Sequence, residues 1–298
     1  ESPDLVQAGH VHVLGAVHPT QEAAGLDGFE LGGVAHEQDL GSGLFGLAGA
    51  AGAIALQLVA RSKPEDGYLL TVPGPLVYPT PQPRIGHELS PVILMAEGPM
   101  VIVGPAKNAR ATLQDVLADA RRRPEAWSYG SSGNGTSQNL AGELLNQYAG
   151  TRMVHVPYKG GGQAVSDVAG GQIPLAILGS APVMPQIKAG ALKAYAVTTP
   201  YRLKSLPDVP TVEETGFKGY AATQWFSVAA ANSIPAAQLE QVNAALRAAI
   251  ATPEFKAAVD NAGMIAGGGS PADLQKFIEA DDAKWKKLLD SRAVKLQN

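Results

Sequence analysis

From residue 57 onward, short apolar runs alternate with stretches whose apolar positions recur every three or four residues. The first pattern predicts buried strands and the second amphipathic helices. Their alternation is the rhythm of βαβ units, so it predicts an α/β fold with largely parallel strands. Residues 68–72, 100–103, 127–130, 153–157, 173–178 and 192–198 read as strands, with helices over 113–123, 138–148, 163–168 and 182–188 between them. The Pro-rich stretch 200–219 is weakly periodic and reads as a surface connection. Residues 224–230 read as a strand returning to a different sheet, followed by helices over 235–251, 253–261 and 271 to about 291.

Local signals sharpen several of these boundaries. Thr112 and Asp115 form a Thr-x-x-Asp capping box for the helix from 113, and Arg121, Arg122 and Arg123 sit at its dipole-negative end. Gly150 stops the helix that begins near Gln138. Ser270-Pro271-Ala272-Asp273 supplies an N-cap, a first-turn proline and an acidic third position for the last helix. Residues 1–50 differ. They hold four of the six histidines (His10, His12, His18, His36), and no element is placed there.

Composition narrows the class. A chain of 298 residues is about two domains long, and 45% apolar with 17% charged residues is an ordinary globular profile. The formal charge of −4, with no basic run longer than 121–123, gives no field for nucleic acid. Zero cysteines exclude disulfides, thiolate metal sites, cysteine nucleophiles and a lipid-bearing N-terminal cysteine. No run is apolar enough over ~18 residues to span a bilayer. A start at Glu1, with no Met and no basic-plus-apolar leader, fits a mature chain freed of a signal peptide, or simply a chain trimmed at that end.

The segment richest in chemistry is 127–140: a strand, then Ser131-Ser132-Gly133-Asn134-Gly135-Thr136-Ser137, then a helix. Glycines allow close approach of a ligand to the backbone, and the N–H groups of a helix start carry partial positive charge. The combination suits a carboxylate or phosphate. The same residues also serve a plain structural purpose, with Thr136 or Ser137 capping the helix and the glycines turning the chain. The loop lacks the Gly-Lys-Ser/Thr of a nucleotide-binding loop and the spacing of a dinucleotide fingerprint.

Three more strand ends carry candidates. Tyr158 and Lys159 lie in a strand–Gly loop–helix segment beginning at His155, which itself reads as a packed histidine. Pro73, Gly74 and Pro75 follow a strand, where open α/β sheets hold ligands, and Gly179 and Ser180 end another. An enzyme reading exists: Ser131 or Ser132 with His155 and Asp167 are the residue types of a hydrolase triad, but no Gly-x-Ser-x-Gly elbow surrounds either serine. His10, His12, His18 and His36 have ligand chemistry for zinc, without the helical spacing that supports a metal site.

Six motifs then occur in order: Asp66-Gly67-Tyr68-Leu69-Leu70, the 131–137 loop, Leu140-Ala141-Gly142-Glu143-Leu144, His155-Val156-Pro157-Tyr158-Lys159-Gly160, Gln186-Ile187-Lys188-Ala189-Gly190 and Leu206-Pro207-Asp208-Val209-Pro210-Thr211. Over residues 54–292 this series closely resembles the substrate-binding proteins of tripartite tricarboxylate transporters, the Bordetella uptake gene family. The resemblance implies an α/β periplasmic binding protein fold of type II, two lobes joined by two crossovers. Lobe 1 would comprise 1–100 and 221–298, with lobe 2 (101–220) inserted.

It implies a periplasmic receptor, not an enzyme, that holds a small carboxylate and delivers it to membrane permease subunits. No cofactor or metal is implied, and a monomer is. Carried over, the ligand contacts are Ser131, Ser132, Asn134, Gly135, Thr136 and Ser137, with Pro73, Gly74, Pro75, Tyr158, Gly179, Ser180 and the Trp225–Phe226 pair around them. Alternatives are a serine-dependent hydrolase or transferase using Ser131, and a sensor for a signalling partner. The family's opening motifs are not legible in 1–50, which should supply the facing part of the pocket.

Overall fold

The computed structural model describes residues 12–15, 45–46, 59–63, 68–74, 84–107 and 110–290. Within them the strands are β1 (His12–Gly15), β2 (Phe45–Gly46), β3 (Tyr68–Gly74), β4 (Leu89–Pro105), β5 (Ser128–Ser131), β6 (Val154–Pro157), β7 (Leu175–Gly179), β8 (Leu192–Val197), β9 (Thr223–Ala231) and β10 (Ile265–Gly268). The helices are α1 (Leu113–Arg122), α2 (Ser137–Ala149), α3 (Gly161–Ala169), α4 (Ser180–Lys188), α5 (Ala236–Ile250), α6 (Pro253–Asn261) and α7 (Pro271–Asp290).

β4 organises the molecule. Its first part, Leu89 to Pro99, pairs with β9, and β10 flanks it on the other edge. From Met100 its partners become β7 and β8. The sheet therefore has two halves joined through one strand. The first runs β2-β1-β3-β9-β4, and the second runs β6-β5-β7-β4 with β8 outside. The chain passes from the first half to the second along β4 and returns between β8 and β9.

This connectivity corrects the expectation of largely parallel strands. β1, β2 and β3 are parallel, as are β5, β6 and β7. β9 runs antiparallel to β3 and β4, and β4 runs antiparallel to β7 and β8. A strand that enters one half from the other arrives from the wrong end to be parallel. The first fifty residues also contain two short strands, β1 and β2, where the sequence placed none. A tetrapeptide and a dipeptide are too short to carry a period.

Side-chain alternation packs helices on both faces. On β4, Met100 and Ile102 face a cluster with Leu113, Leu117, Leu140 and Ala141, while Val101 and Val103 face one with Val165, Val168 and Val183. Each wholly buried Leu or Ile in these clusters contributes about 1.5–3 kcal/mol by leaving water. α7 is shared. Its Leu274 and Ile278 join Leu89, Trp225 and Ala229 of the first half, whereas its Trp285 and Leu288 join the Met100 and Ile102 cluster of the second.

The caps behave as the sequence predicts. Thr112 Oγ1 accepts the Asp115 amide at 3.2 Å while Asp115 Oδ2 accepts the Thr112 amide at 3.0 Å. Gly150 closes α2 in the left-handed region at φ 60°. The arginines at the end of α1 also neutralise a buried charge, because Arg122 and Arg123, with Arg110, close over Asp119. The Arg123 hydrogen bond first, and then those of Arg110 and Arg122, hold the Asp119 carboxyl far below the usual carboxylate range.

Candidate functional site

β5 ends at Ser131, and the chain turns through 132–136 into α2, whose N-cap Thr136 accepts the Asn139 amide at 3.4 Å. The turn needs its glycines: Gly133 and Gly135 have φ of 135° and 72°, which residues with a Cβ rarely adopt. Two further bonds fix it. Thr136 Oγ1 donates to the Gly133 carbonyl at 2.8 Å, and the Gly135 amide donates to Asn139 Oδ1 at 3.0 Å. Ser132, Asn134 and Gln138 are the partly open members, and the rest are buried.

Ser131 is completely buried, with its carbonyl and its hydroxyl both engaged. Its carbonyl accepts the Tyr158 amide at 3.1 Å, its hydroxyl accepts the Gly133 amide at 3.1 Å, and Oγ lies 2.6 Å from His155 Nε2. Burial pushes the His155 imidazole down to about 4, so the ring is neutral near pH 7. It stacks on Tyr129 with centroids 5.1 Å apart. The Tyr129 hydroxyl donates to Glu143 Oε1 at 2.6 Å and accepts from Asn139 Nδ2 at 3.0 Å. Burial and the Glu143 charge raise the Tyr129 phenol, and burial likewise raises Glu143.

The hydrolase constellation is only partly assembled. Ser131 and His155 meet, but the Asp167 carboxylate accepts the Tyr158 hydroxyl at 2.8 Å. Burial, followed by that carboxylate, pushes the Tyr158 phenol up to about 12. Tyr158 thus turns its hydroxyl toward α3, and Lys159 is exposed.

Across from the loop stand the end of β3 and the start of β9. Gly74 pairs with Trp225, whose indole lies over it so closely that a Cβ on Gly74 would collide with the ring. Ser137 Oγ donates to the Gly74 carbonyl at 2.8 Å, tying the helix start of the second half to a strand end of the first. Beside it, Gln138 Nε2 donates to Gln224 Oε1 at 3.1 Å. The Gln224 amide covers Gly179, where a Cβ would fall 2.6 Å from its Nε2, and the next residue, Ser180, donates to the Ala262 carbonyl.

The structure therefore gathers Gly74, the 131–137 loop, Gly179, Ser180 and Trp225 along one seam between the halves. Phe226 projects to the other face of β9 from Trp225, because neighbours on a strand alternate, so the two do not act as a pair. Of Pro73 only the backbone is described, opposite Phe226, and Pro75 lies outside the described residues. The side chains of His10, His12, His18 and His36 also lie outside them; among the described residues no group of three or more metal-ligating side chains is assembled.

Gln138 and Gln224, which bridge the seam, belong to no motif that marks them as site residues in the sequence. Gln138 is the residue after the hydroxyl loop, and Gln224 immediately precedes Trp225, so proximity in sequence was the available signal.

Two sheet halves, each with its antiparallel strand inserted by the other and a polar seam between them, define a solute-binding receptor of the periplasmic binding protein type, with the two-lobed type II fold. Residues 46–294 match the family described as tripartite tricarboxylate transporter family receptor, and the chain belongs to that family. A UPF0065 protein from the tcbD–tcbE intergenic region of Pseudomonas sp. (strain P51) is 34% identical over 249 residues, covering 81% of this chain and 74% of its own. Among solved structures, Rpa4515 of R. palustris with adipate is similar at 29% identity and TM-score 0.77, covering 83% of this chain and 85% of its own. Periplasmic binding protein BugD is similar at 26% identity and TM-score 0.78, covering 85% of this chain and 87% of its own.

Proposed function

We propose that this chain is a non-catalytic periplasmic receptor that captures a small carboxylate between its lobes and delivers it to the permease subunits of a tripartite transporter. The proposed lobes are 1–100 with 221–298, and 101–220. The change of partners within β4 at Pro99 and Met100 supports that division. The observation that carries the reading is the apposition of the helix-start loop 131–137 to Gly74 through the Ser137 hydrogen bond. A loop of backbone amides and hydroxyls at a helix N-terminus holds an anionic head without a cationic side chain.

The ligand's carboxylate meets the open members Ser132 and Asn134 at the mouth of the helix-start loop, whose Gly135 amide is itself held by Asn139 Oδ1. Gly74, Tyr158, Gly179, Ser180 and Trp225 enclose the remainder, and Ser131 acts from beneath through the loop it shapes. Ser131 is completely buried and Asp167 is held by Tyr158 instead of orienting His155, which supports binding over turnover. Adipate, bound to the R. palustris neighbour, is the first compound to test. Calorimetry against adipate and shorter mono- and dicarboxylates, with the solution followed by NMR for product, is expected to show saturable binding and unchanged ligand. Product formation abolished by Ser131→Ala would overturn the reading.

A further inference from the structure

His155 has no place among the ligand contacts, yet it touches the loop's foundations from below. Ser131 Oγ lies 2.6 Å from its Nε2. The same Oγ receives the Gly133 amide, so the imidazole reaches one of the two positive-φ glycines through a single atom. The opposite route runs through the ring face. His155 stacks on Tyr129, Tyr129 accepts the Asn139 side-chain amide, and Asn139 Oδ1 accepts the amide of Gly135, the other positive-φ glycine. One side chain on β6 therefore supports both bends of the turn. Among the described contacts, it does so without touching 132–137 itself.

Resting on the receptor reading, we propose that His155 is a positioning residue: it holds Ser131 Oγ and the Tyr129–Asn139 pair so that the 131–137 turn is shaped for a carboxylate before the ligand arrives. The physical gain is preorganisation. A glycine-rich turn left free must be ordered at the moment of binding, and that cost is subtracted from affinity. A rigid imidazole, stacked on one side and hydrogen-bonded at its edge, removes the cost in advance. Either tautomer serves, because the serine hydroxyl donates to a bare Nε2 or accepts from a protonated one.

The test is built on His155→Leu and His155→Gln. Glutamine places an amide N–H or carbonyl near the same point and satisfies Ser131 whichever way the proton lies; leucine keeps bulk and loses the bond. In the ligand-free protein, His155→Leu is expected to speed hydrogen exchange of the amides of 133–136 by about tenfold, and His155→Gln by less than about threefold. Adipate affinity should follow the same order, with His155→Leu about tenfold weaker. In a Ser131→Ala background the leucine substitution should add clearly less than it costs alone, since the Ser131 bond is already gone and only the Tyr129 route is left to lose.

Wild-type exchange and affinity in His155→Leu would overturn the proposal, as would a full additional loss in the Ser131→Ala background. Ser131→Ala alone keeps it falsifiable if the leucine variant fails to fold: wild-type exchange at Gly133 in that variant also overturns it. Failure of the wild-type protein to bind any carboxylate would count against the receptor reading alone, because the exchange experiment needs no ligand.

Discussion

Ser137 Oγ donates to the carbonyl of Gly74 at 2.8 Å, joining the first residue of a helix in one half of the molecule to the last residue of a strand in the other. A bond that crosses the seam exists only while the halves are together, so it favours the arrangement in which they meet. Ser137→Ala is expected to weaken carboxylate binding by about three- to tenfold, the worth of one buried hydrogen bond, and to lower the melting temperature modestly for the same reason. Calorimetry beside a thermal melt checks this; an unchanged affinity would mean that the bond contributes nothing to that arrangement.

The indole over Gly74 predicts a steric effect at the same place. Gly74→Ala puts a methyl group into the Trp225 ring, which is itself held by an edge-on contact with Phe277 at 5.6 Å. Overpacking of this kind costs about 1–3 kcal/mol. The expected readout is a lower denaturation midpoint with a shift in tryptophan emission, and Gly74→Ala combined with Trp225→Phe should recover part of the loss.

His155 makes stability depend on pH in a defined window. Its folded value is depressed to about 4 by burial, below the 6.5 of an exposed histidine. Above about pH 6.5 it is neutral in both folded and unfolded chains and has no effect. As pH falls from 6.5 toward 4, the unfolded chain takes up the proton first, and stability is lost by up to about 3 kcal/mol. Urea denaturation between pH 4 and 7 should show this slope in the wild type and a flatter one in His155→Gln. Parallel profiles would place the acid sensitivity elsewhere.

Asp281 lies midway along α7 and accepts two indoles, Trp225 Nε1 at 2.9 Å and Trp285 Nε1 at 3.1 Å. Burial raises its carboxyl above the usual value, partly offset by those two donors and by Lys284. Asp281→Asn turns one acceptor oxygen into a donor facing an indole N–H. A destabilisation of about 1–3 kcal/mol is expected by chemical denaturation. Asp281→Glu, which keeps both oxygens, should be milder, and equal losses in the two variants would show that side-chain length matters more than the acceptor.

Much of this was legible in sequence because it is local. The capping box at Thr112, the stop at Gly150 and the hydroxyl loop ahead of α2 are written in residues a few positions apart. What sequence missed is long-range. The full extent of β4 is not legible, because Ser90, Pro91, Glu97, Gly98 and Pro99 interrupt the apolar pattern of 89–99 ahead of the run that begins at Met100. His155 read as packing, since its partner Ser131 lies on a neighbouring strand in a parallel register that no period reveals. Gln138 and Gln224 are 86 positions apart, and only the return of β9 brings them together.

The sharing of α7 between two cores has a practical consequence. Leu274 and Ile278 anchor one end in the first half while Trp285 and Leu288 anchor the other in the second, so any rotation of one lobe against its neighbour has to pass through the middle of this helix as bending or sliding. The helix is thus a natural strain gauge. The chain contains no cysteine, so Lys287→Cys on the exposed side of α7 would carry a single dye at a known place. On the proposed receptor reading, its emission would report movement of the two halves from a site remote from the 131–137 loop, turning the protein into an optical sensor for its ligand.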